Sequence, residues 1–291
     1  MSMSDDKTGK TIRIIMITVS TLFVAVMLVM PLLMVIVNSL RKGISFYLSA
    51  ITTTNVISAV KVTLTATVIT LLVNTIFGIT ASVLLTRFTF RGKNVLQTLI
   101  DIPFSTSPVI AGLSFIMIFG RMGWAAPAIN AINDTLGLNI RIVFALPGVV
   151  LATIFVTFPF VSREIIPVLN AVGSDEEEAA SLMGADFFTI FRRITFPHMK
   201  WALIYGMVLT TARALGEFGA VNALSKTRGE TFTLPLEIDA LYLDGSADSI
   251  VAAFAVSSIL VLVTIILLVL RCIVESRSKM STPGSEKRKI Q

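Results

Sequence analysis

The sequence predicts an all-α membrane protein with six transmembrane helices, on three observations. Hydrophobic residues make up 54% of the 291, charged residues only 14%, and mean hydropathy is +0.85. A soluble domain carries about 25% charged residues, so this chain lacks the polar shell that a soluble core of this size needs. Apolar runs recur at lengths near the ~20 residues that cross a hydrocarbon core of ~30 Å. The Lys and Arg residues lie between those runs. That is the distribution of topology determinants, not of a basic face, so the net charge of +6 does not point to nucleic acid.

The first run, 14–40, follows a polar tail at 1–13. It is too long for a cleavable signal and no small-x-small site follows it, so a span is expected. Runs 62–86, 102–120, 142–162 and 249–270 hold no charged side chain, whereas 201–225 carries Arg213 and Glu217. Pro31, Pro103, Pro108, Pro147 and Pro159 lie in or at the ends of these runs. Membrane helices tolerate such prolines because neighbours satisfy the freed backbone groups. Residues 14–273 therefore form one transmembrane domain, followed by a second polar tail at 274–291. With the N-terminus inside, the inner segments hold sixteen Lys and Arg and the outer ones seven, which predicts an N-in/C-in arrangement. The 163–200 loop is then cytoplasmic and is the largest soluble piece.

Several functions are excluded by what the chain carries. One cysteine, Cys272, permits no internal disulfide and no Cys-based metal site. One histidine, His198 beside Pro197, leaves no His-rich centre and points to an interfacial role; no catalytic residue, metal site or cofactor is expected in this chain. Gly9-Lys10-Thr11 imitates the end of a phosphate-binding loop, but Ser4 stands where that loop needs glycine and no strand precedes it. Asn133-Asp134-Thr135 fits a glycosylation acceptor, a tripeptide common by chance.

The 163–200 loop is the most informative segment. Ser174 and Glu177 have capping-box spacing, so a helix is expected from Asp175, with Asp175, Glu176, Glu177 and Glu178 in the first turn where the helix dipole favours anions. Ala179 and Ala180 are small, Leu182 and Met183 apolar, and Gly184 is a natural stop. A second short helix is expected from Asp186, showing Phe187, Phe188, Ile190, Phe191 and Ile194, with Pro197 stopping it before the fifth span. Small residues and exposed aromatics outside the membrane suit either a plug for a partner's groove or a segment lying on the lipid surface.

Two membrane features carry further chemistry. Counted from Trp201 at 1.5 Å per residue, Arg213 lies about 18 Å deep, where an unpaired charge is costly. Glu217 is one turn on and can pair with it, although Asp101 in the third run is another partner for so long a side chain. The arginine serves either a structural pair or the attraction of an anion. In the third run Pro103 and Pro108 bracket Ser105, Thr106 and Ser107, with Gly112 one turn later. This is either a broken, polar pathway element or an ordinary kink.

Glu178-Ala179-Ala180, three residues, Gly184, nine residues, Ile194, one residue, Phe196-Pro197 resembles the EAA loop of bacterial ABC importer permeases, with Phe where that pattern has Leu. Asp101-Ile102-Pro103-Phe104, Ser107-Pro108-Val109, Thr157-Phe158-Pro159-Phe160 and the stretch from Arg213 to Ala220 resemble the sulfate and molybdate branch. Arg228-Gly229-Glu230-Thr231 with Leu234-Pro235-Leu236 is most similar to the W-type permeases of sulfate/thiosulfate importers. The resemblance implies a type I importer permease fold in the bacterial inner membrane. It implies a coupling helix (Glu178, Ala179, Ala180, Leu182, Gly184, Phe187, Ile194, Pro197) seated in a separate ABC ATPase dimer that holds ATP-Mg. It further implies a homologous T-type permease partner and an extracytoplasmic sulfate-binding protein. Molybdate, tungstate or another oxyanion is the alternative cargo. A secondary transporter would need midplane coupling groups and usually a repeated half, and no convincing repeat is visible.

Overall fold

The structure is a computed structural model that describes residues 7–137 and 139–280. The described chain is helical, with no strand. The described residues fall into two units, one within 1–53 and 238–261 and the other within 54–237 and 262–291.

The first unit opens with α1 (Lys7–Val24), a π turn (Ala25–Val29) and α2 (Met30–Ser39), which together make one apolar stretch. Its 18-residue apolar window has no buried residue, as expected of side chains that face lipid rather than a protein core. Gly9, Lys10 and Thr11 lie inside α1, a helical backbone with no phosphate cradle. α3 (Gly43–Ile51) follows. Lys42 pairs with Asp248, and Tyr47 hydrogen-bonds Ser258 at 3.0 Å.

The second unit begins with α4 (Thr54–Arg87), whose 34 residues outrun the 62–86 expectation at both ends. Next come α5 (Lys93–Ser105), α6 (Pro108–Phe119) and α7 (Ala126–Leu136). Then α8 (Leu146–Thr157) and α9 (Pro159–Val172) form one apolar 27-residue stretch. The loop helices are α10 (Asp175–Leu182) and α11 (Phe187–Ile190), followed by a π turn (Phe191–Thr195), α12 (Phe196–Leu215) and α13 (Gly219–Leu224). The last described helices are α14 (Leu234–Leu243) and α15 (Ala247–Met280), each with residues in both units. Val83, Val161, Ile165, Leu169, Met199 and Leu203 form a core where α4, α9 and α12 meet. Gly78 makes this approach possible, since a Cβ there would lie 2.5 Å from a Val161 methyl. Asn74, fully buried on α4, donates to Thr157 Oγ1 at 2.7 Å and ties α4 to α8.

Four stretches are long and apolar enough to cross a membrane: Gly9–Ser39, Thr54–Arg87, Leu146–Val172 and Ala247–Glu275. The other two runs differ from the single spans expected of them. The third is a helix pair, α5 and α6, bent by 109°. Pro108 has no N–H and disfavours helical backbone at Ser107, so the helix cannot continue through that residue. The fifth stops at Leu215 and resumes at Gly219. The 163–200 loop is also shorter than expected, because α9 stays helical to Val172. Parts of the tails 1–13 and 274–291 lie outside the described residues.

Candidate functional site: the loop helices and the paired helix breaks

The loop between α9 and α12 holds the first cluster. α10 starts at Asp175 as the sequence predicts, but the capping box does not form. Ser174 Oγ instead donates to Glu178 Oε1 at 2.6 Å, and Glu177 turns away to other partners. Gly184 ends the helix at φ +88°, with its N–H on the Ser181 carbonyl (2.9 Å) and the Ala185 N–H on the Ala180 carbonyl (3.0 Å). That pair of bonds is a Schellman turn, and glycine enters its left-handed position without a Cβ penalty. Asp186 caps the next helix by accepting from the Phe188 and Thr189 N–H groups. The hydrogen bonds from the Thr189 side chain and backbone hold its carboxyl below the ordinary carboxylate range.

The turn leaves an apolar knob in the open. Leu182 is 91% exposed and Met183 81%, and Phe187 and Phe188 are exposed beside them. Ala179 is exposed and Ala180 buried. Ile194 lies in the π turn, partly buried. Pro197 does not stop the second helix: the backbone is helical from Phe187 through Leu215. The missing Pro197 N–H would have met the Arg193 carbonyl, and the π turn at Phe191–Thr195 widens the helix at that point. His198 Nε2 lies 3.0 Å from Glu176, tying the start of α12 to α10.

The first turn of α10 also joins a cluster that sequence reasoning missed. Arg87, the last residue of α4, forms an ion pair with Glu177 Oε2 at 2.7 Å and donates to the Leu169 carbonyl at 3.1 Å. Thr195 Oγ1 donates to Glu177 Oε1 at 2.8 Å. The two charged side chains are only 10% and 14% exposed. In the sequence Arg87 reads as one topology charge among many; its place at the end of a long apolar run is the only signal of a further role.

The second cluster lies where the two broken helices meet. Glu217 sits in the break between α12 and α13, not one turn further along the same helix. Its carboxylate, 1% exposed, pairs with Arg213 Nη1 at 2.6 Å and accepts the Ala220 N–H at 2.8 Å. Asp101 does not reach Arg213. It pairs with Arg163 at 2.8 Å, and the Arg163 guanidinium lies over the Phe104 ring at 4.2 Å. Ser105 and Ser107 are exposed at the α5–α6 break, on elements separate from the Arg213–Glu217 pair. The breaks themselves touch. A Cβ on Gly219 would lie 3.1 Å from Pro108 Cβ, and one on Gly112 would lie 2.5 Å from the Ala220 carbonyl oxygen. Also unforeseen is the Arg228–Glu237 pair, a two-pronged contact at 2.7–3.1 Å on a fully buried carboxylate. It places the Arg228-Gly229-Glu230-Thr231 and Leu234-Pro235-Leu236 stretches against each other. Asn133 clasps Ile140 through its side-chain amide at 2.9 and 3.2 Å, and Cys272 is a free, exposed thiol.

Four stretches long enough to span a bilayer, two further runs whose broken helices touch, and an apolar knob between α9 and α12 together describe a multi-span membrane protein. The family model of the binding-protein-dependent transport system inner membrane component matches residues 74–279, and the chain belongs to that family. It is 42% identical over 265 residues to the sulfate transport system permease protein CysW of Synechococcus elongatus, covering 90% of this chain and 89% of that one. To the CysW of Escherichia coli K12 it is 41% identical over 263 residues, covering 90% and 87%. Among solved structures, a bacterial alginate ABC transporter in complex with an alginate pentasaccharide-bound periplasmic protein superposes with a TM-score of 0.75 at 18% identity. That match covers 95% of this chain and 97% of the other, and it shows the type I ABC importer permease fold.

Proposed function

We propose that this chain is a transmembrane permease subunit of an ATP-driven sulfate/thiosulfate importer, crossing the bacterial inner membrane six times with both termini inside. The observation that carries the coupling part is the knob of Leu182, Met183, Phe187 and Phe188, held out by the Gly184 turn on a loop outside the four candidate spans. Four large apolar side chains facing water are costly unless a partner covers them. An ABC ATPase dimer, binding ATP-Mg, is that partner in this reading. Hydrolysis belongs to it, and this chain contributes the path and the docking helix. The cargo is inferred from the similarity to CysW across nine-tenths of the chain.

The six spans are the four apolar stretches plus the two broken runs, each counted once. In this arrangement the α5–α6 and α12–α13 breaks line the path, as broken helices do where irregular backbone faces a cavity. The Arg213–Glu217 pair is then a structural clasp on the path wall, because Glu217 also holds the start of α13. A homologous T-type permease completes the path, and an extracytoplasmic sulfate-binding protein delivers the anion.

The test is uptake in a strain deleted for the chromosomal copy and complemented with this chain. Labelled sulfate should accumulate, and thiosulfate should compete. Uptake of molybdate or tungstate in place of sulfate would reassign the cargo within the same mechanism. Uptake driven by an ion gradient, with no ATPase co-purifying, would overturn the importer assignment.

A further inference from the structure

We infer that Arg87 is a positioning residue for energy coupling: its ion pair with Glu177 fastens the docking helix α10 to the end of α4, so that motion of one reaches the other. The inference rests on the coupling role proposed above for α10. Four segments converge on the pair. Arg87 closes α4, and its guanidinium holds the Leu169 carbonyl in the last turn of α9. Glu177 belongs to the first turn of α10, and Thr195 reaches it from the π turn that leads into α12.

The electrostatics favour this assembly on both sides. A cation at a helix C-terminus and an anion at a helix N-terminus each oppose the local dipole charge. The pair is nearly buried, at 10% and 14% exposure, so water does not weaken it as it weakens a surface pair. Two other α10 carboxylates are differently engaged. Glu178 is bound within its own loop by Ser174, and Glu176 meets His198 on an exposed side of α12. Among the described residues, Glu177 is the α10 carboxylate that is ion-paired to α4.

Without the pair, α10 keeps its Schellman turn and its exposed knob, so it still folds and still docks. It loses its rigid tie to the membrane helices. Displacement of the knob is then taken up at the loop, and hydrolysis runs without transport.

The experiment uses the whole complex, reconstituted in proteoliposomes with the ATPase, the partner permease and a sulfate-loaded binding protein. The variants are Arg87→Gln, Arg87→Lys and Thr195→Val, and the readouts are ATPase copies retained, ATP hydrolysed and labelled sulfate taken up. In Arg87→Gln the ATPase should remain at the wild-type ratio and hydrolysis should continue. Sulfate taken up per ATP should fall by roughly tenfold, within the usual range of coupling between sites. Arg87→Lys keeps the charge but not the planar fork, and should restore part of the loss. Thr195→Val strands no charge and should move the ratio in the same direction by less. A wild-type ratio in Arg87→Gln overturns the inference, as does loss of the ATPase from that variant when its membrane content is normal. If Arg87→Gln does not assemble at all, Thr195→Val decides, and an unchanged ratio there overturns it. Absence of ATP-dependent uptake by the wild-type complex would instead count against the sulfate-importer reading.

Discussion

Arg213 and Glu217 pair at 2.6 Å across the end of a helix rather than along its face. Because the same carboxylate accepts the Ala220 N–H at 2.8 Å, it joins the last turn of α12 to the first turn of α13. The break is therefore held by side-chain chemistry and is not a frayed end.

Removing Arg213 alone should be worse than removing both partners. Arg213→Ala strands a buried carboxylate at a cost of about 3–5 kcal/mol, whereas removing a whole pair can be nearly neutral. The double variant with Glu217→Ala also loses the bond to Ala220, a cap-like contact worth about 1 kcal/mol. Folded protein in membranes and sulfate uptake should both recover in the double variant relative to Arg213→Ala. Recovery of folding without uptake would show instead that Arg213 serves the anion.

Gly112→Val should strike the crossing of the two breaks. The new Cβ would fall 2.5 Å from the Ala220 carbonyl oxygen and 2.9 Å from Ala223 Cβ. Overpacking of this kind costs about 1–3 kcal/mol. The measure is the temperature at which detergent-solubilised protein loses its folded peak, which should drop. An unchanged temperature would mean that α6 and α13 are not in this contact.

Gly184→Val isolates backbone strain. A Cβ at Gly184 meets nothing within 4 Å, so the only penalty is the +88° φ, about 1–2 kcal/mol for a side-chain-bearing residue. The turn should open and misdirect the knob. Membrane content should stay normal while ATPase association and uptake fall together; wild-type uptake would remove the coupling role from this loop.

Topology can be read by thiol labelling in a Cys272→Ser background, since the native thiol is exposed. Ala180 is buried and makes a poor reporter, whereas Leu182 and Met122 are almost fully exposed. Leu182→Cys should react only from the cytoplasmic side and Met122→Cys only from outside. The opposite result at either position would overturn the N-in, six-span arrangement.

Long apolar runs, the start of α10 and the Gly184 turn were legible because each depends on residues close in sequence. The spacing of Arg213 and Glu217 allowed their pairing without deciding it, and the pair forms although the helix ends before Glu217. What the sequence hid depends on distance along the chain. Arg87 and Glu177 are 90 positions apart, and nothing local to either marks the other. Asp101 offered itself to Arg213, but Arg163 lies nearer once α5 packs against α9. Pro197 has the chemistry of a helix stop, yet a π turn just before it absorbs the missing bond. Of the bends at 106–107 and 216–218, only the first was signalled, by Pro108; the run 201–225 reads as one unbroken span. Their size and their meeting were not signalled, because both come from one backbone lying on another.

That meeting also restricts how the two broken runs can move against each other. At Gly112 the backbone of α6 rests on that of α13 with no side chain between them. Such a contact can act as a pivot but cannot be compressed. A rotation about the Gly112–Ala220 point would leave this contact intact, and the non-helical residues 106–107 and 216–218 are where the backbone could absorb it. In the proposed path, two segments joined this way would swing rather than dilate.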